Sequence, residues 1–372
     1  MSRFIQLHLL TNYPPSNLNR DDTGRPKTAL VGNAMRLRIS SQSQKRAWRK
    51  SDEFHIVLGA NAPDSKEVVV EWDARPNPRL GTRTKEAGIK IYKALVSRGV
   101  DDKSARNWAQ SIAEKFGALK KANKEKPLQE LEIEQLAHFS PEERAAIDLL
   151  VKVCAERVKA PTSDDLNLLS KPQSAVDIAM FGRMLADSPA YNMEAAIQVA
   201  HAITVHKTAV EDDYFSAVDD LNKGLEDKGA GHIGEHGYGA GLFYLYLCIN
   251  RELLKENLGG DGTLTSKALE ALIKAVTKVS PTGMQNSHAS RAYASYVLAE
   301  KGDQQPRSLA QAFLKPVKPF DDEDMFDKSV KAITKRRENF DKVYGACADA
   351  RYEINVEKGE GSLAELVAFA QE

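Results

Sequence analysis

Strand-like text opens this chain, gives way to a long stretch of helical text, and only then returns. FIQLHLL, from Phe4 to Leu10, alternates as a half-buried strand does. From about Ser51 to Ser174, KEAGIKIYKALVSRG, KSARNWAQSIAEKFGALKK, EIEQLAHF and PEERAAIDLLVKVCAERVK carry the spacing of amphipathic helices, with few strand signals beyond EVVVEWDA. Core-like text resumes with DIAMFGRM at Asp177, the helix-like MEAAIQVAHAI and the strand-like AITVHKT. GLFYLYLCINREL then reads as a strong strand, TSKALEALIKAVTKV as a helix, ASYVLAEKG as a strand and FDKSVKAITKRRENFDKVYGA as a further helix. Strands separated by helices on a small sheet predict an α+β core, and that core must hold a large helical insertion after its first strand.

Two polar stretches interrupt this pattern. TNYPPSNLNRDDTGRPK follows the first strand and reads as a loop. EDDYFSAVDDLNKGLEDKGAGHIGEHGYGAG is acidic, rich in Gly and reads as a long excursion between strands. Cys154, Cys248 and Cys347 are widely spaced and odd in number, which argues against a disulfide framework or a structural zinc site and fits a reducing cytosol. The longest apolar run, GLFYLYLCI, is too short to span a bilayer, and the N-terminus lacks the pattern of a leader. The expectation is a cytoplasmic protein that needs no cofactor or metal and meets no membrane.

Charge singles out one segment. The chain holds 52 basic and 52 acidic residues, yet Thr23 to Lys50 contains no Asp or Glu and eight basic residues: Arg25, Lys27, Arg36, Arg38, Lys45, Arg46, Arg49 and Lys50. Without them the chain has 44 basic against 52 acidic residues, a net −8. Positive charge so concentrated is a footprint for a polyanion. Within it, Arg38-Ile39 reads as a strand end and Ser40 or Ser41 as the N-cap of a helix running to about Lys50. Free N–H groups and serine hydroxyls at that start suit phosphate oxygens, with Gln42, Lys45 and Arg49 on one face. A solvated basic helix is the bland alternative.

Other constellations weigh less. GAGHIG, with Gly229, Gly231 and Gly234, matches a dinucleotide fingerprint, but neither a preceding apolar strand nor a following helix supports it. His232 and His236 in HIGEH find no third ligand, and His201 sits in helix-like text as a core or edge histidine. Asp21 or Asp22 would be placed to assist attack by a 2′-hydroxyl or water; the alternative is an Asx-turn or a salt bridge to Arg20 or Arg25. Gly182-Arg183-Met184 follows a strand-like apolar run; Arg183 offers a guanidinium for phosphate, and Met184 a flexible side chain to lie against a base. Tyr214-Phe215-Ser216 places two adjacent aromatics on the Gly-rich excursion, where they either meet bases or form a local cluster with Val218 and Leu221.

In FIQLHLLTNYPPSNLNRDD, RLRISSQSQKRAWRKS, DIAMFGRM, AHAITVHK, YFSAVDD and SYVLAEKGDQQPRSLAQAFLKPV the chain resembles the CasC family, the repeated backbone subunit of the type I-E CRISPR surveillance complex called Cascade. The resemblance implies an RRM-like (ferredoxin-like) palm in three parts (1–55 with the basic helix, 176–205 and 241–372). It also implies helical fingers over 56–175 and a thumb over 206–240. Several copies would polymerise along one CRISPR RNA guide, beside other Cascade subunits, and present it to a target DNA strand. On matching positions, Arg20, Lys27, Ser40, Gln42, Lys45 and Arg49 would hold guide phosphates. Met184 would lie against guide bases, and Tyr214, Phe215 and Ser216 would form a wedge where the family pattern has Trp-Phe-Thr. The implied role is not enzymatic. Related backbone subunits of type III complexes cut RNA with a loop aspartate, so an RNA endonuclease using Asp21 or Asp22 is the competing function. A duplex-DNA binder is the weaker rival, since nothing resembles a recognition helix.

Overall fold

The structure, a computed structural model, describes residues 2–59, 69–73, 77–171, 173–217, 232–318 and 324–372. In chain order its strands are β1 (Phe4–Ser16), β2 (Thr28–Val31), β3 (Ala34–Ile39), β4 (Thr82–Thr84), β5 (Ala137–Phe139), β6 (Ile197–Val199), β7 (Ala202–Thr204), β8 (Glu211–Ala217), β9 (His232–Asn250), β10 (Ala294–Gly302) and β11 (Ala350–Asn355). The chain divides into two compact units, the first of Met1–Glu53, Val199–Ile249 and Leu272–Glu372, the second of Phe54–Gln198 and Asn250–Ala271. The fold is α+β with an antiparallel sheet.

The first unit is built on that sheet, in the order β11-β10-β1-β9-β7-β3-β2, with β8 paired to β9. β1 runs antiparallel to β10 from Phe4↔Gly302, with a register shift between Leu10 and Thr11. Every residue from Ile5 to Leu10 is buried, polar Gln6 and His8 included. A central strand covered on both faces does not alternate, which corrects the half-buried reading of this run. The strand also continues to Ser16 and absorbs the start of the expected loop. β2 and β3 form a hairpin whose two-residue turn, Gly32-Asn33, has φ of 58° and 57°. That is the primed turn that matches strand twist, and Gly-Asn supplies it cheaply. Beneath the sheet, Leu10, Tyr244, Tyr296, Leu298 and Phe313 pack with Ile333 of the Met325–Tyr344 helix.

One charged cluster is sealed into this unit. Glu300 is fully buried and accepts from Arg307 at 2.5 and 3.0 Å, from Arg351 at 2.9 Å and from His8 Nε2 at 3.2 Å. Because the carboxylate only accepts, His8 carries its proton on Nε2, and Tyr244 O–H donates to His8 Nδ1 at 2.8 Å. Burial lowers the His8 pKa even against the pull of Glu300, whose charge two guanidiniums already meet. Burial alone would raise the Glu300 carboxyl; the hydrogen bonds from His8 and Arg307 reverse the direction and lower it.

The second unit is mainly helical, with helices Ala87–Ser97, Asp102–Ala113 and Pro141–Arg157 and the small β4–β5 pair. Its core gathers Ile91, Leu95, Ile112, Val151 and the aromatics Trp72, Phe116 and Phe139. Ser140 and Glu143 close a capping box at the Pro141–Arg157 helix. Three expectations fail here. EIEQLAHF is not a helix but ends in β5; DIAMFGRM is a short helix, Val176–Phe181, and not strand-like; and MEAAIQVAHAI, read as a helix, runs through β6 to β7. In the first two, short apolar runs fit either period, and long-range pairing decided.

Candidate nucleic-acid interface

Asparagines build the loop that carries Arg20 and Lys27. Asn17 Nδ2 donates to the Gly24 and Gly237 carbonyls, both at 2.9 Å. Asn19 joins the loop to the helix start: its carbonyl accepts the Lys27 N–H at 2.8 Å and its Oδ1 accepts the Ser40 N–H at 2.8 Å. Asp21 Oδ1 takes three donors, Thr23 Oγ1 at 2.8 Å, Thr23 N at 2.9 Å and Arg25 N at 3.0 Å. These bonds, that of the Thr23 hydroxyl foremost, hold its carboxyl below the usual carboxylate range. Asp21 therefore forms the Asx-turn. Arg25 pairs with Asp212 of β8 at 2.7 Å, while Arg20 is exposed and Lys27 half-buried.

Helix α1 (Ser41–Arg49) starts where the sequence places it, with Ser40 as N-cap accepting from Ser43 N at 3.3 Å and no acid in the first turn. Trp48 and Gln44 fix its inner face, Gln44 reaching the Ala200 carbonyl at 3.4 Å. The row Gln42, Lys45, Arg49 descends from exposed through half-buried to buried, so Arg46 and Lys50 are the exposed cations of this helix.

The basic segment is not uniformly a surface. Arg36 is fully buried and donates to the Thr204 carbonyl at 2.8 Å and the Phe313 carbonyl at 2.9 Å. It holds strands and loop together and does not belong to the electrostatic footprint. Arg38, two residues on and therefore on the same side of β3, is only half-buried and donates to His201 Nδ1 at 2.8 Å. His201 is exposed and directly precedes β7, not on a helix as its context suggests.

The Gly-rich excursion is a β-ribbon in its described part. β8 and β9 pair from Glu211↔Tyr238 to Ala217↔His232, so HIGEHGYGAG contributes ladder and not flexible loop. Residues 218–231, with Val218, Leu221, Gly229 and Gly231, lie outside the described residues, as does the Ser216 side chain. Tyr214 is 73% exposed. Phe215, on the opposite face, lies flat on its own ribbon, stacked on His236 with centroids 4.6 Å apart. A Cβ at Gly234, its register partner, would sit 2.3 Å from Phe215 Cζ, so glycine is required there. The His232 side chain, and with it the His232–His236 pair, lies outside the described residues. No group of three or more metal-binding side chains is gathered among the described residues.

In the second unit Met184 is 75% exposed. Arg183 corrects the sequence reading. Its side chain is fully buried, bonded to Glu143 at 2.7 and 2.9 Å and to the Ser170 and Tyr191 carbonyls at 2.7 and 2.9 Å. Nothing of it is left for a phosphate. Asn17, Asn19, Arg38 and His201 are the residues that sequence reasoning missed; LNRDD carried a signal for the two asparagines, whose amides serve turns.

The geometry defines an α+β protein with a polar, cation-bearing edge on its sheet unit. The chain belongs to the CT1975-like protein family, whose model matches residues 5–371. It is similar to a chain in the structure of a CRISPR RNA-guided surveillance complex in a pre-nicking state, at 28% identity and TM-score 0.79, over 99% of this chain and 100% of that one. It is also similar in fold to a chain of a CRISPR RNA-guided surveillance complex at 23% identity and TM-score 0.70, with 99% and 100% covered. No curated protein matches the sequence. No described helix is long and apolar enough to cross a membrane.

Proposed function

We propose that this chain is the repeated backbone subunit of a type I-E Cascade complex, and that it grips the CRISPR RNA guide by its phosphates without reading sequence. The observation that carries the reading is the end-to-end similarity to a surveillance-complex chain. The sheet unit would be the RRM-like palm, the helical unit the fingers, and the β8–β9 ribbon the thumb. Arg20, Lys27, the Ser40 helix start, Gln42 and Lys45 would meet phosphates, which position a strand without specifying it. Specificity then rests on pairing between guide and target DNA. Holding the guide in ordered segments reduces the entropy lost on pairing, and head-to-tail copies form an open filament unless other subunits cap it.

In this reading the subunit does not cut. Asp21 supports that view, because the Asx-turn bonds to its Oδ1 fix the carboxylate and lower its pKa, which makes it a weaker base. Asp22 is exposed and remains the residue on which a nuclease would depend. Expression followed by sequencing of co-purified RNA tests the proposal. One repeat-derived guide family is expected; random cellular RNA, or none, would contradict it.

A further inference from the structure

The first unit carries a row of cationic groups across three strands. Lys27, just before β2, accepts the Arg38 N–H on its carbonyl at 2.8 Å and so stands opposite Arg38 in the hairpin register. Arg38 in turn opposes Ile203 of β7, which puts His201 on the neighbouring diagonal, within 2.8 Å of the guanidinium. Leu37 and Ile39 leave β3 on one side and Arg38 on the other, which it shares with the buried Arg36; Arg38 itself is half-buried. Like charges set side by side across a sheet are unfavourable on their own.

Among the described residues no carboxylate pairs with Arg38 or His201. Besides His201, Arg38 bonds only to the Thr28 carbonyl among the described residues, at 3.4 Å. The charges acting on the imidazole are those of Arg38 and Lys27, both positive. Burial first, then these two charges, lower the His201 pKa from its ordinary value near 6.5. Arg25, in the loop just before Lys27, by contrast has Asp212 of β8 as its counter-ion.

We infer that Lys27, Arg38 and His201 form a phosphodiester site of their own, and that filling it draws a proton onto His201. This rests on the RNA-binding reading above and adds Arg38 and His201 to it. A phosphate oxygen between the guanidinium and the imidazole gives the positive row its missing anion. His201 then becomes a donor in place of an acceptor, and Arg38 turns its N–H toward the phosphate. The bound state holds the proton more tightly than the free state. Affinity for RNA must therefore rise as pH falls through the interval between the free and bound values, and level off below the free one.

The test is the affinity of the intact protein for a single-stranded RNA between about pH 5 and pH 8 at fixed salt. The wild type should tighten on acidification, by at most about tenfold per pH unit, the limit for one proton. His201→Gln should flatten that profile, and Arg38→Gln should weaken binding at every pH. A flat wild-type profile, or one that persists in His201→Gln, overturns the inference. The second measurement follows the His201 imidazole by NMR in the free protein, with and without inorganic phosphate. Phosphate should raise its titration midpoint, and an unmoved midpoint also overturns the site. A raised midpoint in a protein that binds no RNA would leave the anion site standing and remove the guide-binding reading instead.

Discussion

Two histidines, each beside an arginine in the same unit, have opposite surroundings. His8 is sealed in the sheet, where Glu300 answers Arg307 and Arg351 and takes the imidazole proton. His201 stands at the surface beside Arg38 and Lys27, with no carboxylate among the described residues to balance them. Where charge serves the fold, each cation is matched by an acceptor the fold itself supplies; Arg36 and Arg183 follow the same rule. Where cations stand unmatched across a sheet, the missing partner comes from outside. Residue type does not distinguish the two cases; the presence of a built-in acceptor does.

The sharpest way to break this contrast is to remove the internal acceptor. Glu300→Gln should cost about 3 kcal/mol in denaturant unfolding, the low end of the range for breaking a buried pair, because Arg351 keeps some exposure. A loss within about 0.5 kcal/mol, as for an ordinary surface change, would erase the distinction. The ribbon comes next. Tyr214→Ala/Phe215→Ala should leave folding intact and guide bound, yet weaken target binding, since stacking contributes about 1–3 kcal/mol per base. Chemical probing of the bound guide should lose its periodic reactive nucleotides; an unchanged pattern would mean these rings serve only the ribbon.

Acid separates the histidines by direction. His8 has a lowered folded value, so the unfolded chain binds the proton first. Its contribution is whole above about pH 6.5 and is lost as pH falls below that, by up to about 1.4 kcal/mol per pH unit. Unfolding should therefore become easier over the same interval in which RNA binding tightens. A stability that does not fall between about pH 6.5 and pH 5 would contradict the sealed neutral His8. Smaller still is the effect of Asp22→Ala, which should assemble normally and leave complementary RNA with Mg²⁺ as intact as the wild type does. Periodic cuts that vanish in this variant would replace the scaffold reading with the nuclease one.

The sequence disclosed the elements that depend on local pattern. The helix after Ser40 has its cap and its acid-free first turn in plain text, and ASYVLAEKG maps residue for residue onto β10. What stayed hidden depends on partners distant in the chain. β1 is buried from Ile5 to Leu10 as a central strand between β9 and β10, and Arg36 and Arg38, two apart on one side of β3, differ by what they meet: the Thr204 and Phe313 carbonyls for Arg36, His201 for Arg38. Arg183 looked like a phosphate ligand because Glu143 is forty residues away. The HIGEHGYGAG run looked like loop because its glycines fit a ladder only beside β8, where Phe215 needs the space above Gly234. The Gly32-Asn33 turn was legible and is the signal that would have revealed the β2–β3 hairpin.

The central claim is that unmatched cations on the sheet unit hold an RNA backbone irrespective of its sequence. Its most direct test is the salt dependence of binding for two single-stranded RNAs of unrelated sequence, with the wild type and Lys27→Ala/Arg38→Gln. The account predicts equal affinities for the two RNAs and log K falling linearly with log salt. It predicts that the double variant loses affinity for both equally and flattens the slope by about 0.7 for each phosphate contact removed. A preference for one RNA, or a slope unchanged in the variant, would contradict it.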